Sequence, residues 1–181
     1  ILTLEYAQSI RFLYQHFLSG ITTKSLNVFY YACSYAKVDY SGFMNITARI
    51  ALKLVPDSLQ TQPVFLCIDD TMVAQFGTKF ENVLKLFDHA AHNRSNYLNG
   101  HCFVSVMLCV PVWNGNKVSY LSVPRGYRMW QKKESKLELA APMIRQVMPE
   151  FHSKEYVIIL CDSWYTKQNL VSMVDEYPNL D

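Results

Sequence analysis

The spacing of apolar positions changes abruptly near residue 64. Before it, the period is helical. Over residues 4–19, Leu4, Ala7, Ile10, Leu13, Tyr14, Phe17 and Leu18 recur on one face, and Gly20 is the expected stop. Thr22 or Thr23 can cap a second helix running to about Lys37, with Leu26, Phe29, Tyr30, Cys33 and Ala36 on its apolar side. Residues 39–42 are turn material. A third helix over residues 45–55 should end before Pro56, because the residue preceding a proline is pushed out of helical conformation. Residues 56–63, PDSLQTQP, read as a polar linker bracketed by prolines. The chain is therefore expected to divide into a small helical module, residues 1–56, and a second domain, residues 64–181.

From residue 64 the apolar runs are short and rich in β-branched and aromatic side chains. Residues 64–68, VFLCI, run into Asp69 and Asp70, and residues 156–161, YVIILC, run into Asp162. Such runs read as strands buried on both faces. Between them lie a polar segment, a strand over residues 101–112, and a hairpin signal at Asn114, Gly115 and Asn116. A further strand over 117–123, a basic loop over 124–133 and a helix over 134–148 follow. That helix should turn Leu137, Ala140, Ala141, Ile144 and Val147 inward. A last helix is expected over residues 166–177. The order is β-β-β-α-β-α. A right-handed crossover would lay the last strand parallel to the first, with Asp70 and Asp162 at neighbouring strand ends. That is the edge of an α/β sheet where ligands collect.

Two carboxylates brought together repel, and a divalent cation relieves the repulsion; hard oxygen donors suit Mg²⁺ or Mn²⁺. Asp69 and Asp70 alternate to opposite sides of an extended strand. One of the two must therefore point away from a shared ion. The segment 125–133 interleaves Arg125, Arg128, Lys132 and Lys133 with Tyr127 and Trp130, cations for phosphate and rings for unpaired bases. Tyr165 and Lys167, just past Asp162, are further candidates for contact with a nucleic-acid backbone. His89, His92, His101 and Cys102 match no standard zinc spacing. His92, Asn93 and Arg94 are instead expected to shape a loop near the acids or to bind phosphate. No P-loop, G-x-G-x-x-G or G-x-S-x-G occurs.

Composition adds limits. The chain has 181 residues, half of them hydrophobic, and a net charge of only +2, so a DNA partner must rest on local patches. Its five cysteines form no C-x-x-C pair and read as reduced core thiols of a cytosolic protein. No apolar run has the length of a membrane span, and no signal peptide is read at the start. The first residue is not Met and the chain stops at Asp181, so both ends read as cut. Arg11, Lys24, Lys37, Arg49 and Lys53 are scattered over the helical module, which could be a helix-turn-helix reader of DNA or a packing subdomain.

CIDDT, GHCFVSVML and CDSWYTK, in that order and at that separation, resemble the catalytic core of DDE transposases of bacterial insertion sequences, the IS4-like Asp-Asp-Thr group. The resemblance covers residues 60–181, and more weakly the helical start. It implies a ribonuclease H-like mixed sheet, incomplete here, preceded by a small helical module. It also implies metal-dependent cleavage and strand transfer at phosphodiester bonds. Two aspartates and a later glutamate would hold two Mg²⁺ or Mn²⁺ ions in the complete site. Asp70, before Thr71, and Asp162, before Ser163, match the first two acids, so the resemblance favours Asp70 as the ligand, with Asp69 the second choice. The implied partners are transposon ends and target DNA, with a homodimer allowed, no membrane, and a bacterial cytoplasmic, nucleoid-associated location. The third acid has no match: Glu176 lies on the very next helix, where the family inserts a long segment first. As it stands the polypeptide is expected to be inactive or nearly so, even if its parent is an enzyme. The competing expectation is a degenerate remnant that contacts DNA or its own kind without chemistry. A haloacid-dehalogenase nucleophile would need a second Asp two residues after the first, and Asp69-Asp70-Thr71 fails that spacing.

Overall fold

The computed structural model describes residues 9–75, 80–87, 96–152, 155–165 and 172–181. The chain divides into two compact units, Ile1–Asp39 and Tyr40–Asp181. The boundary expected at the proline-bracketed linker thus falls earlier, ahead of the third helix.

In the first unit α1 (Ile10–Leu13) passes through a π-helical turn, Tyr14–Leu18, into α2 (Ser19–Ile21). The Ser9 hydroxyl caps α1 by accepting from the Phe12 N–H at 3.0 Å. Gly20 does not stop the helical path; Thr22, in extended conformation, ends it one residue after Ile21. Then comes α3 (Leu26–Tyr35), and Phe29 on it meets Tyr14 with ring centroids 5.7 Å apart.

The second unit is a mixed sheet with helices packed on it. Helix α4 (Tyr40–Lys53) belongs here: Ala48 and Ala51 are buried in the sheet's hydrophobic cluster, and Arg49 pairs with Glu150 at 2.7 Å. The strands are β1 (Val64–Ala74), β2 (Leu84–Phe87), β3 (Tyr97–Asn114), β4 (Lys117–Trp130) and β5 (Val157–Cys161). β3 runs antiparallel to β1 on one side and to β2 and β4 on the other. β5 lies parallel to β1, with Ile68 opposite Cys161. Helix α5 (Lys136–Val147) supplies the crossover.

Several strands outrun the sequence expectation. β1 does not end at the acids but continues to Ala74, because β3 keeps pairing with it as far as Gly100. β2 lies inside what reads as a polar segment. The basic loop expected at 124–133 is largely strand, since β4 extends to Trp130. The hairpin does turn at Gly115 and Asn116, with Asn114 paired to Lys117 and Gly115 at φ +60°, a conformation that costs glycine little. Of the expected last helix, residues 166–171 lie outside the described residues; residues 172–174 are helical.

The core explains the layout. Leu66 and Ile68 of β1, Val104, Val106 and Leu108 of β3, and Leu137, Ala140, Met143, Ile144 and Val147 of α5 are buried in one cluster. Each larger apolar side chain withdrawn from water contributes about 1.5–3 kcal/mol. Ser135 begins α5 with a capping box: its hydroxyl accepts from the Glu138 N–H, and Glu138 accepts from the Ser135 N–H. Pro142 inside α5 removes one helical hydrogen bond, a local cost that the buried face on both sides offsets.

Candidate functional site

Alternation along β1 puts Leu66, Ile68 and Asp70 on the face covered by α5 and turns Asp69 away. Opposed residues of antiparallel strands share a face, so Asp70, Val104 and Arg128 form one row across the sheet, and Met72, Cys102 and Trp130 the next. The N-terminus of α5 stands at these rows.

Asp70 is held on both oxygens. The Tyr165 hydroxyl donates to Oδ1 at 3.0 Å, and the Lys136 ammonium donates to Oδ2 at 2.6 Å. The Cys102 thiol lies 3.6 Å from the same Oδ2. Partial burial works against the charged carboxylate, but the bonds from Lys136, Tyr165 and Cys102 outweigh it and hold the Asp70 carboxyl below its usual range. The same setting pushes the Cys102 thiol up to about 11, chiefly through burial, with the Lys136 charge opposing. Burial first, then the Asp70 charge and bond, raise the Tyr165 phenol well above its ordinary value.

Asp162 leaves β5 one residue past the last pair with β1, at the same sheet edge. It is exposed, and its Oδ1 accepts from the Ser163 N–H and hydroxyl, at 2.5 and 3.1 Å. A single 3₁₀ turn, Ser163–Tyr165, then carries the buried Tyr165 side chain back to Asp70. The two acid-bearing segments are thus tied by the Tyr165–Asp70 hydrogen bond. Asp69 is exposed; its Oδ1 accepts from the Asp70 N–H at 2.8 Å and its backbone carbonyl accepts from the Ser105 hydroxyl at 3.2 Å.

The residues expected to face DNA separate into distinct groups. Arg128 and Lys133 are exposed. Lys132, at φ +61°, is exposed but turns its ammonium onto the Lys85 carbonyl at 2.9 Å. Trp130 is half-buried, donates to the Glu134 carbonyl at 2.7 Å, and lies under the Lys136 ammonium at 5.2 Å from the ring centroid. Arg125 is only 3% exposed and so faces no solvent in this state. Met107 pairs with Pro124 and Val106 with Gly126, so Arg125 is the extra residue of a bulge, and a bulge re-aims its side chain. Its guanidinium donates to the Gln146 carbonyl in the last turn of α5 at 3.3 Å, where a cation suits the helix dipole. Tyr165 is buried on Asp70 and is likewise withheld from solvent. Lys167, His89, His92, Asn93 and Arg94 lie outside the described residues. His101 bonds the Glu81 carbonyl at 2.8 Å, away from Cys102's partner Asp70.

Glu176 is engaged elsewhere: Arg145 of α5 grips it with bonds of 3.0 and 2.7 Å. Lys136 was not singled out from the sequence. Its signal was a cation at the first position of a capped helix, the end the dipole makes unfavourable for positive charge, which asks for a nearby anion.

No family model, curated protein or solved structure matches the chain.

Among the described residues no three His, Cys, Asp or Glu side chains converge as a ready-made metal cage. Two carboxylates at one edge nevertheless fit a hard divalent cation of the magnesium type, which takes one or two carboxylates and completes its shell with water and phosphate oxygens. The Lys136 ammonium on Asp70 is a stand-in positive charge at that position. Asp70 and Asp162 are the residues that would hold the ion, although in the β1–β5 register Asp162 follows Cys161 level with Asp69 and not with Asp70.

Proposed function

We propose that this chain carries the first two acids of a DDE-type DNA transposase core with a ribonuclease H-like sheet. The observation that supports the proposal is the parallel pairing of β1 and β5, with Ile68 opposite Cys161, which sets the segments that carry Asp70 and Asp162 side by side. The order β4-β3-β1-β5, antiparallel except for the last pair, supports the same fold.

In this reading Asp70 and Asp162 bind Mg²⁺ or Mn²⁺, and Tyr165 orients the Asp70 carboxylate. The chemistry such ions supply is a more acidic water or DNA 3′-hydroxyl and a stabilised leaving oxygen. Arg128 and Lys133, exposed near the acid edge, hold backbone phosphates in register with it. Arg125 belongs to the fold and not to the DNA surface.

One observation favours a second reading, a non-catalytic DNA-binding remnant. Asp70 already accepts from Lys136 and Tyr165, while Glu176, the nearest later glutamate, is paired with Arg145. Nicking of supercoiled DNA by the protein in Mn²⁺, with DNA binding followed in parallel, separates the two. The transposase reading expects Asp70→Asn and Asp162→Asn each to abolish nicking while DNA binding persists. Nicking retained by either variant removes that residue from the catalytic set. DNA binding by the protein with no nicking at all favours the remnant.

A further inference from the structure

Lys136 stands where helix electrostatics disfavour it. It is the first residue of α5, and the cap there is complete without it, through Ser135 and Glu138. Its ammonium nevertheless lies 2.6 Å from Asp70 Oδ2 and over the Trp130 ring. The contact is buried enough to matter and open enough to break: the side chains are 32% and 20% exposed. A lysine head on a four-carbon stem can leave such a site without any change in the helix that carries it. An ammonium and a divalent cation want the same carboxylate oxygen, and their like charges oppose sharing it.

We propose that Lys136 is a displaceable counter-ion for Asp70. It neutralises the carboxylate in the cation-free protein, yields Oδ2 when a divalent cation binds, and then offers its ammonium to a DNA phosphate. The proposal rests on the reading of Asp70 as a cation ligand. Its phosphate-binding half is supported by Arg128, exposed in the same cross-strand row as Asp70, and by Trp130, whose ring lies under the Lys136 ammonium. Cation binding and phosphate binding would thereby be coupled: each cation that enters releases a positive charge next to where substrate must lie.

The test is Mn²⁺ titration of the whole chain without DNA, followed by loss of the free-ion electron paramagnetic resonance signal. Lys136→Met should bind Mn²⁺ tighter than wild type by roughly tenfold or more, since a competing charge has gone. Lys136→Arg should keep the competition and bind no tighter than wild type. Asp70→Asn should lose binding. A folded Lys136→Met with wild-type or weaker affinity overturns the proposal. If wild type takes up Mn²⁺ through Asp70 and Lys136→Met gains nothing, counter-ion exchange fails and the metal reading stands. If neither takes up Mn²⁺, the metal reading fails and the exchange fails with it. Should Lys136→Met not fold, reductive methylation of wild-type lysines decides: Lys136 should be protected without Mg²⁺ and reactive with it. Protection unchanged at high Mg²⁺ overturns the proposal.

Discussion

Replacing Asp70 by Asn keeps the shape of the side chain and removes its charge. In the native protein that charge accepts one hydrogen bond from an ammonium and one from a phenol, at 2.6 and 3.0 Å. Bonds to a charged partner contribute about 1.5–3 kcal/mol each, against about 1 for neutral ones. Asn can still offer one oxygen, and the site's partial exposure weakens what is lost. The net cost at neutral pH is therefore about 2 kcal/mol, which for a chain of this size lowers the melting temperature by about 5 °C. The pH dependence is a stricter test. Asp70 has its folded-state pKa depressed, so its stabilisation is fully present above the unfolded carboxyl value, about 4, and is lost as pH falls through the folded one. Urea unfolding should show a wild-type advantage that holds from pH 7 to about pH 5 and shrinks below about pH 4. In a Lys136→Met background the same Asn substitution should cost at least about 1 kcal/mol less, because the pair is already broken. An Asp70→Asn protein as stable as wild type at pH 7, or a gap that persists unchanged to pH 3, would refute the charge pairing.

Gly100→Ala should destabilise by about 3 kcal/mol in urea, because a Cβ there would stand 2.3 Å from the Val73 carbonyl oxygen, backbone that cannot step aside; a change under about 1 kcal/mol would mean that β1 and β3 do not approach there as described. Arg128→Ala and Lys133→Ala should each weaken DNA binding and flatten its salt dependence by about one unit of slope. Arg125→Ala should leave that slope alone and lower stability instead, since it removes a buried guanidinium from the end of α5. The opposite pattern in fluorescence anisotropy against salt would return Arg125 to the surface.

The parts of the fold legible in the sequence were those with one dominant local signal. Apolar runs ending in acids marked β1 and β5, a glycine between asparagines marked the hairpin, and a capped apolar face marked α5. The connection through α5 was enough to expect β5 parallel to β1, as found. What was hidden is set by pairing, which a single strand does not carry. Nothing local in Leu84–Phe87 says strand; β3 supplies the edge that makes it one. Pro124 and Gly126 look like loop punctuation, yet they flank a bulge within a continuous strand. That bulge also explains why Arg125, cationic and in a basic stretch, points into the protein. The helix at Tyr40–Lys53 looked like part of the first module because its apolar face does not say which unit it packs against. At the site, alternation said only that Asp69 and Asp70 face opposite ways; the choice of Asp70 came from the resemblance. Lys136 and the inward role of Tyr165 were not legible, because each is defined by a partner more than sixty residues away in sequence.

The account stands on Asp70 and Asp162 acting together, and crystals soaked in Mn²⁺ examine that directly. Anomalous scattering should place a manganese ion at about 2.0–2.3 Å from a carboxylate oxygen of each aspartate, with the Lys136 ammonium withdrawn from Asp70. Saturating Mn²⁺ with no peak between the two aspartates, and Lys136 still seated on Asp70, would contradict it.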